Sequence, residues 1–269
     1  MRQFVKLVPK IGERALEGRQ EFDFKGRSAI VTGGTRGLGR AVVARLADAG
    51  CRVATCGRNA PADLPDGVSF HQVDVRDPEA AVAFVDAVAA DQGALDILVN
   101  NAGGSPASPA EAGSPRFHEA ILRLNLLAPL TLSQAAFRHM AGKGGSIVNI
   151  ASVSAQRPSP GTAVYGAAKA GLVSLTQSLA QEWGGQGVRV NAIIAGLMAT
   201  ETTEATYGSE ASQARIAGSI PLGRFGDGDD IAGAVLWLSS DAARWVSGAR
   251  LNVDGGGERP LFLELLKGN

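Results

Sequence analysis

Short apolar segments alternate with longer amphipathic segments along most of the chain. Near-continuous apolar strands separated by helices predict a parallel sheet that is covered by helices on both faces. No internal repeat or long low-complexity linker interrupts this alternation, which favours one doubly wound α/β domain. The predicted strands are Ala29–Thr32, Arg52–Thr55, Ser69–Gln72, Ile97–Val99, Ile147–Ile150, Arg189–Ile194 and Arg250–Val253, and the predicted helices include Arg40–Ala49, Pro78–Asp91, Arg116–Met140, Val164–Trp183 and Asp229–Ser239.

Length and charge narrow the classes of protein that this pattern allows. The chain has 269 residues, 45% of them hydrophobic, and its 26 basic residues balance 26 acidic ones. This length suits one large α/β domain with a buried core. The balanced charge gives no electrostatic reason to expect nucleic acid or an acidic membrane surface as a partner. Because no apolar run approaches the ~20 residues that span a bilayer, we expect a soluble, cytoplasmic protein with no membrane partner.

The cysteines and histidines do not form a recognisable metal site or disulfide. Cys51 and Cys56 flank a predicted strand, and their separation places them on opposite faces, so no mutual disulfide is expected. The histidines show no ligand spacing, so no metal is predicted. The hydrolase motif GxSxG and the phosphate loop GxxxxGK[ST] are both absent from the sequence, which argues against those two classes of enzyme.

A glycine-rich turn follows the first predicted strand in the sequence AIVTGGTRGLGRAVVARL. Gly33, Gly37 and Gly39 form the pattern TGxxxGxG between that strand and an amphipathic helix. Glycines let the backbone approach a pyrophosphate closely, and the helix start offers unpaired amides. Taken alone, the turn is equally compatible with an ordinary strand-to-helix connection.

Ser152, Tyr165 and Lys169 have the spacing of a proton-transfer site. Tyr165 and Lys169 lie four residues apart in a helix-like segment, so their side chains share one helical face. An ammonium beside a phenol favours the phenolate, so we expect Lys169 to lower the pKa of Tyr165 from its ordinary value of about 10. Ser152 follows an apolar strand and can present its hydroxyl at the strand end. Tyr165 is therefore predicted to donate or accept a proton near neutral pH.

Together these motifs resemble the short-chain dehydrogenase/reductase family, in its shorter type, over roughly residues 24–257. The resemblance implies a single Rossmann-type domain, with a seven-stranded parallel sheet flanked by helices on both faces. The motifs occur in the family's order and spacing. They are TGGTRGLG, Val73–Val75, Asn100–Gly103, Asn125 within LRLNLLAP, Ser152, Tyr165–Lys169, RVNAIIAG at 189–196 and Val253–Gly256.

The resemblance also implies an activity, the transfer of hydride between a nicotinamide cofactor and a carbonyl or secondary alcohol. Tyr165 would be the general acid or base, and Ser152 would hold the reacting oxygen. Lys169 would bind the nicotinamide ribose, while Asn125 would position a water that links Lys169 to solvent. Each residue also has a purely structural alternative: Asn125 could serve merely to bend its helix, and Ser152 could serve merely to cap a loop. Two alternative functions remain. One is a non-catalytic NADP-binding sensor or scaffold, and the other is a dehydratase or epimerase, whose motifs this sequence matches less well.

The end of the second strand indicates which nicotinamide cofactor is used. Gly57 stands where the family's NAD-selective members carry an Asp, and Arg58 follows it. Arg36 approaches from the glycine turn, and two guanidinium groups can bind a 2′-phosphate, so we expect NADP(H). The family also places Pro before Gly196, where this chain has Ala195. The predicted cofactor contacts are Gly33, Thr35, Arg36, Gly37, Leu38, Gly39, Arg58, Asp74, Val75, Asn101, Ala102, Gly103, Tyr165, Lys169, Gly196 and Thr200.

The predicted domain is flanked by two segments outside the resemblance. Residues 1–23 form an N-terminal extension, and residues 258–269 form an apolar tail; each is expected to pack on the domain or on another subunit. The alternative for residues 1–23 is an amphipathic targeting or membrane-surface segment, which Pro9, Gly12 and three glutamates disfavour. Within the domain, residues 197–219 are predicted to form a substrate lid, and a neutral ketone is the expected substrate. By resemblance, the assembly is expected to be a homotetramer or homodimer.

Overall fold

The seven predicted strands form one sheet in which every strand pair is parallel, in the order β3-β2-β1-β4-β5-β6-β7. The structure is a computed structural model that describes residues 22–259. Nearly all of the predicted extension at 1–23 and of the predicted tail at 258–269 lies outside these residues. The strands are β1 Ser28–Thr32, β2 Arg52–Gly57, β3 Ser69–Gln72, β4 Ile97–Asn100, β5 Gly145–Ser152, β6 Val188–Ala195 and β7 Arg250–Val253.

Helices cover both faces of this sheet, as the sequence pattern predicts. Alternate residues of β1 point to opposite layers: Ile30 packs with one buried cluster, and Ala29 and Val31 pack with the other. Helices α2, α4 and α5 contribute to the first cluster, and α1 and α8 contribute to the second. The helices are α1 Gly37–Asp48, α2 Pro78–Gln92, α3 Pro115–Leu122, α4 Ala128–Met140, α5 Ala163–Trp183, α6 Thr203–Tyr207, α7 Glu210–Ser219 and α8 Gly228–Ser239.

Local capping residues explain where helices α2 and α8 begin and where α2 ends. Asp77 accepts hydrogen bonds from the amides of Glu79 and Ala80 at the start of α2, which ends at Gly93 with φ +74°. This left-handed conformation at a helix end is the one that glycine adopts without strain. Asp227 and the side chain of Asp230 form a reciprocal capping box at the start of α8. These caps satisfy amides that a helix cannot satisfy internally.

A buried polar network joins the two central strands β4 and β5 to the helices above them. Asn100 Nδ2 donates to Asn149 Oδ1 at 2.8 Å and to Ser133 Oγ at 3.0 Å. Asn149 Nδ2 in turn donates to Thr176 Oγ1 at 2.9 Å, and that hydroxyl donates to the Leu172 carbonyl. Asn100 and Asn149 are also paired residues in the β4–β5 ladder. Because a one-residue slip would separate them and reverse the strand's faces, the network specifies this register.

The helix predicted at Arg116–Met140 is not uniform, because a π-helical segment at Arg123–Leu127 separates α3 from α4. Asn125 lies in this segment, and its Nδ2 donates to the Ile121 carbonyl at 3.0 Å. A side chain that bonds a carbonyl of the preceding turn perturbs the helical hydrogen bonding. This position is compatible with the interpretation that Asn125 bends its helix.

The continuous helical stretch Pro115–Met140 is the one place in residues 22–259 where length and composition alone would permit a membrane span. No such run was expected from the sequence, because Arg116, His118, Glu119 and Arg123 interrupt its first part. Of the stretch's most apolar window, 44% is buried within the chain, and Leu132 and Met140 of the stretch belong to the core. Core helices of globular proteins share this composition, so the stretch is weak evidence for a membrane span.

Both cysteines are buried free thiols, which agrees with the prediction that they do not pair. Burial, the largest cause, raises the pKa of each thiol to about 12. Thiols with so high a pKa stay protonated and are poor nucleophiles at neutral pH. Within residues 22–259, no three His, Cys, Asp or Glu side chains group closely enough to hold a metal ion.

Candidate active site

A cavity of about 820 Å³ lies at the carboxyl ends of the strands and continues past the end of β5. Parallel strands end at the same edge of a sheet, so loops that are distant in sequence meet there. Asn125 is the one predicted site residue that does not line the cavity. Those that do are Gly33, Thr35, Arg36, Gly37, Leu38, Gly39, Arg58, Asp74, Val75, Asn101, Ala102, Gly103, Ser152, Tyr165, Lys169, Gly196 and Thr200.

The glycine turn forms the first wall of this cavity. Gly33 and Gly37 have φ angles of +67° and +54°, a region that favours glycine. A Cβ at Gly39 would overlap the Gly33 carbonyl and Asn101 Nδ2. The cap residue Arg36 makes no side-chain hydrogen bond to the first amides of α1, and no acidic residue lies in that helix's first turn. The turn therefore combines close backbone packing with helix amides suited to an anion.

Replacing Gly39 with Ala is expected to weaken binding of a dinucleotide by tenfold or more. The added methyl must displace either Asn101 or the backbone of Gly33, and overpacking of this kind costs about 1–3 kcal/mol. Fluorescence titration of NADPH would measure the change. Gly233→Ala is the control, because a Cβ there meets no atom within 4 Å. Equal affinity of the two variants would show that the turn does not support the ligand.

The second wall carries Arg58 and the segment after β3. Arg58 is exposed just beyond the end of β2. Asp74 is held by Arg76, whose Nε donates to Asp74 Oδ1 at 2.9 Å. This hydrogen bond is the main reason that the pKa of Asp74 is lowered, and the charge of Arg58 adds to the shift. The wall therefore presents one paired carboxylate and the exposed guanidinium of Arg58.

The turn at Asn101–Gly103 fastens the central strands together and also lines the cavity. Asn101 Nδ2 donates to the carbonyls of Thr32 and Gly33, and the Thr32 hydroxyl accepts from the amides of Asn101 and Ala102. The side-chain amide of Asn101 thus holds the glycine turn through these hydrogen bonds. The sequence left open whether this segment lines the cofactor site or ends the sheet, and its contacts and position are compatible with both.

Tyr165 and Lys169 lie side by side on α5, facing Ser152 at the end of β5. The Ser152 side chain lies close enough to the Tyr165 hydroxyl to lower the pKa of that phenol as a hydrogen-bond partner. Lys169 is almost completely buried, and its Nζ lies 5.7 Å from the centre of the Tyr165 ring and donates to the Ile150 carbonyl at 2.8 Å. The fold therefore brings the three predicted residues together, and the Lys169 side chain is bonded to the Ile150 carbonyl of β5.

The prediction that the pKa of Tyr165 is lowered is wrong for the cofactor-free chain. Burial is the largest cause, and it raises the pKa of Tyr165, while the bond from Ser152 acts in the opposite direction. Burial also lowers the pKa of Lys169 to about 8. Spacing along the helix indicates that two charges are close, but it does not reveal that both groups lose their hydration.

Asn125 lies behind the cavity wall rather than in it. Its Oδ1 accepts from the Gly104 amide at 2.9 Å, and its Nδ2 donates to the Gly104 carbonyl at 3.0 Å. A Cβ added at Gly103 would lie 2.8 Å from Asn125 Oδ1 and 3.1 Å from Lys169 Nζ. Gly103 therefore lies between the side chains of Asn125 and Lys169, and a residue with a side chain would not fit there.

The segment predicted as a lid begins at the end of β6 and contains the helices α6 and α7. Gly196 continues the sheet edge by donating to the Val253 carbonyl at 3.0 Å, and Ala195 before it remains in the β6–β7 ladder. A Cβ at Gly196 would lie 2.6 Å from the Cα of Asp254. In the lid, Tyr207 stacks on Phe225 with ring centres 4.8 Å apart.

Sequence reasoning missed several residues of the cavity wall. The carboxylate of Glu201, next to Thr200, accepts a hydrogen bond from the Gly37 amide at 3.0 Å. Arg40 reaches from α1 to Asp63 in the loop after β2, with Nη2 to Oδ2 at 2.7 Å. Only the position of Glu201 directly after a predicted contact residue could have drawn attention to it. The pairing of Arg40 with Asp63 depends on a loop conformation that has no sequence signature.

Comparisons with known proteins agree with this arrangement. A family model described as enoyl-(acyl carrier protein) reductase matches residues 33–258. The chain is 36% identical over 246 residues to gluconate 5-dehydrogenase of Gluconobacter oxydans, covering 87% of this chain and 96% of that protein. It is 39% identical over 256 residues to D-threitol dehydrogenase of Mycolicibacterium smegmatis, covering 90% and 98%.

A solved structure from Agrobacterium tumefaciens with bound NADP has the same fold. It superposes with a TM-score of 0.81 at 39% sequence identity, covering 88% of this chain and 98% of that one. A ligand-free aldohexose dehydrogenase from Thermoplasma acidophilum also gives a TM-score of 0.81, at 29% identity, covering 86% and 94%. The likeness therefore extends over nearly all of the described residues.

Proposed function

The chain belongs to the short-chain dehydrogenase/reductase family of oxidoreductases, and on that premise we propose that it interconverts a carbonyl and a secondary alcohol with NADP(H). The observation that carries the proposal is the meeting of Ser152, Tyr165 and Lys169 at the inner end of a cavity whose outer end is the glycine turn. One cavity is thus lined both by residues that can transfer a proton and by the glycine turn, whose backbone amides suit an anion.

The residues around the cavity fit a dinucleotide. The amides at the start of α1 suit a pyrophosphate, and Gly33 and Gly39 leave the space that close approach requires. Arg36 and Arg58, both exposed at the outer end, would hold a 2′-phosphate. Lys169 would hold the ribose next to the nicotinamide, and that ring when bound supplies or accepts the hydride.

The protein's own residues would move the proton. Tyr165 would protonate the carbonyl oxygen during reduction, because burial keeps its phenol protonated at neutral pH. Ser152 would donate a hydrogen bond that holds this oxygen and stabilises the charge that develops on it. Lys169 would stabilise the tyrosinate that remains. Asn125, bonded to both backbone groups of Gly104, would keep the wall beside Lys169 in place.

Steady-state kinetics with NADPH and NADH would test this function on a panel of ketones and polyhydroxy ketones. We expect turnover with a preference for NADPH. Arg58→Ala is expected to lower kcat/KM with NADPH by about tenfold or more, because a charge-assisted phosphate contact contributes about 1.5–3 kcal/mol, and to leave NADH kinetics nearly unchanged. Arg52→Ala, at the opposite end of β2 from Arg58, is the control. A preference for NADH in the unaltered chain would contradict the choice of cofactor.

The substrate that we propose is a neutral carbonyl compound or polyol. Arg157, in the loop between Ser152 and Tyr165, is paired with Glu258, with Nη2 to Oε1 at 2.6 Å. A guanidinium that is already neutralised attracts a substrate carboxylate less strongly. D-threitol, named for one relative, is an uncharged polyol and is a suitable first compound for the panel.

We also propose that the chain assembles into a homotetramer or homodimer. The support is the apolar stretch Pro115–Met140, whose most apolar window is 44% buried within the chain, and the exposed Leu127 on it. Multi-angle light scattering at micromolar concentration would measure the mass. A monomer would contradict this assembly without affecting the proposed chemistry.

A further inference from the structure

The carboxylate of Glu201 binds the start of helix α1. Its Oε1 accepts from the Gly37 amide at 3.0 Å, and its Oε2 would lie 3.5 Å from a Cβ built at Gly37. Gly37 is the first residue of α1 and lines the cavity, as Glu201 also does. An acidic side chain from the lid therefore occupies the amide of a residue that lines the proposed dinucleotide site.

The turn that carries Glu201 is held by a group of threonine hydroxyls. Thr203 Oγ1 accepts from the Thr200 amide at 2.7 Å and donates to the Thr200 carbonyl at 2.6 Å. Thr200 Oγ1 accepts from the Thr202 amide at 3.3 Å. These bonds close the backbone on both sides of Glu201, so its carboxylate is directed at α1 by the shape of the turn.

The surroundings of Glu201 favour its charged form. The hydrogen bond from the Gly37 amide is the largest cause of its lowered pKa, and the charges of Arg36 and Arg40 contribute further. The side chain is exposed, so the carboxylate can leave this position without creating a buried charge. It is thus an anion bound reversibly at a helix start, where amides and the helix dipole favour negative charge.

We propose that Glu201 is an internal competitor of the cofactor pyrophosphate, fastening the lid to α1 until the dinucleotide displaces it. The inference rests on the proposed function, because it requires that a dinucleotide binds at α1. The lid is then tied to the glycine turn in the free enzyme and is released from it on binding. A stronger hold of the carboxylate on Gly37 must then lower the affinity for the cofactor.

Fluorescence titration of NADPH into the unaltered protein, Glu201→Ala, Glu201→Gln and Glu204→Ala would test the competition. We expect Glu201→Ala to bind NADPH about twofold to tenfold more tightly, as loss of an exposed charge contact at a helix start implies. Glu201→Gln keeps a neutral acceptor and should fall between Glu201→Ala and the unaltered protein. Glu204→Ala, on the same lid and exposed, should match the unaltered protein.

Hydrogen exchange of the cofactor-free proteins would test the fastening itself. Amides of residues 199–208 should exchange faster in Glu201→Ala than in the unaltered protein or Glu204→Ala, and inorganic pyrophosphate should accelerate them in the unaltered protein. Equal exchange in all free proteins would overturn the inference even if NADPH bound more tightly, since simple charge repulsion would then explain the affinity. Unchanged or weaker NADPH binding in Glu201→Ala would also overturn it, whereas no NADPH binding by the unaltered protein would contradict the proposed function.

Discussion

Turnover of the Tyr165→Phe variant is expected to fall by about a thousandfold, since a positioned general acid contributes about 10²–10⁴-fold. Phe preserves the ring that packs against Lys169 and removes only the hydroxyl that bonds Ser152. NADPH affinity should therefore change little. Single-turnover oxidation of bound NADPH by a ketone substrate would measure the loss, and fluorescence titration would measure the affinity.

Tyr207→Phe is the matched control, because Tyr207 is the only other tyrosine of the chain. It stacks on Phe225 in the lid, and loss of its hydroxyl should change turnover by much less. Retained turnover in Tyr165→Phe would refute the assigned acid. A fall of similar size in both variants would instead point to the lid rather than to proton transfer.

The raised pKa of Tyr165 also gives the reaction a pH dependence with a definite sign. The phenol is the proton donor for reduction, and it is populated below its pKa, which burial raises. Reduction should therefore hold steady through neutral pH and decline only in alkaline solution. Alcohol oxidation needs the phenolate and should rise as the pH increases. A reduction rate that increases from pH 6 to 9 would contradict this assignment.

Replacing Lys169 with Met is expected to lower kcat/KM by about a hundredfold or more, because the tyrosinate loses its nearest stabilising charge. The same change should alter how stability depends on pH. The folded pKa of Lys169, about 8, lies below the ordinary lysine value of about 10.4. The unfolded chain therefore binds more protons between these values, and stability should rise with pH across this window.

Thermal unfolding of both proteins between pH 7 and 10 would reveal that contribution. The stability of the Met variant should rise less over this range than that of the unaltered protein. Lys143→Met is the control, since Lys143 is exposed and should change neither turnover nor the slope. An unchanged slope in Lys169→Met would show that the amine is not buried in its neutral form.

The alternation of apolar and amphipathic segments was enough to predict all seven strands, because strands buried on both faces differ sharply from the helices between them. Boundaries were less accurate where a strand ends in small polar residues. β5 begins at Gly145 and ends at Ser152, two residues beyond each predicted end. The glycine turn, the turn at Asn101–Gly103 and Ser152 follow strand ends, which converge at one edge of the sheet, whereas Tyr165 and Lys169 were predicted from their spacing on a helix.

Features that depend on burial or on loop conformation could not be predicted from spacing. The π-helical segment around Asn125 contains a hydrogen bond from the Asn125 side chain to the Ile121 carbonyl, and the helical periodicity gives no sign of it. The reversed pKa shift of Tyr165 follows from burial by residues that are remote in sequence. The contact between Glu201 and Gly37 joins positions that are 164 residues apart.

The polar pair Asn100 and Asn149 has a consequence for how such an enzyme can diversify. Asn100 directly precedes the turn at Asn101–Gly103, and Asn149 lies three residues before Ser152, so their bond aligns the two halves of the site from inside the sheet. The lid helices α6 and α7 contribute no buried residue. Substitutions in α6 and α7 can therefore change which compounds are accepted without disturbing the buried pair that aligns the two halves of the site.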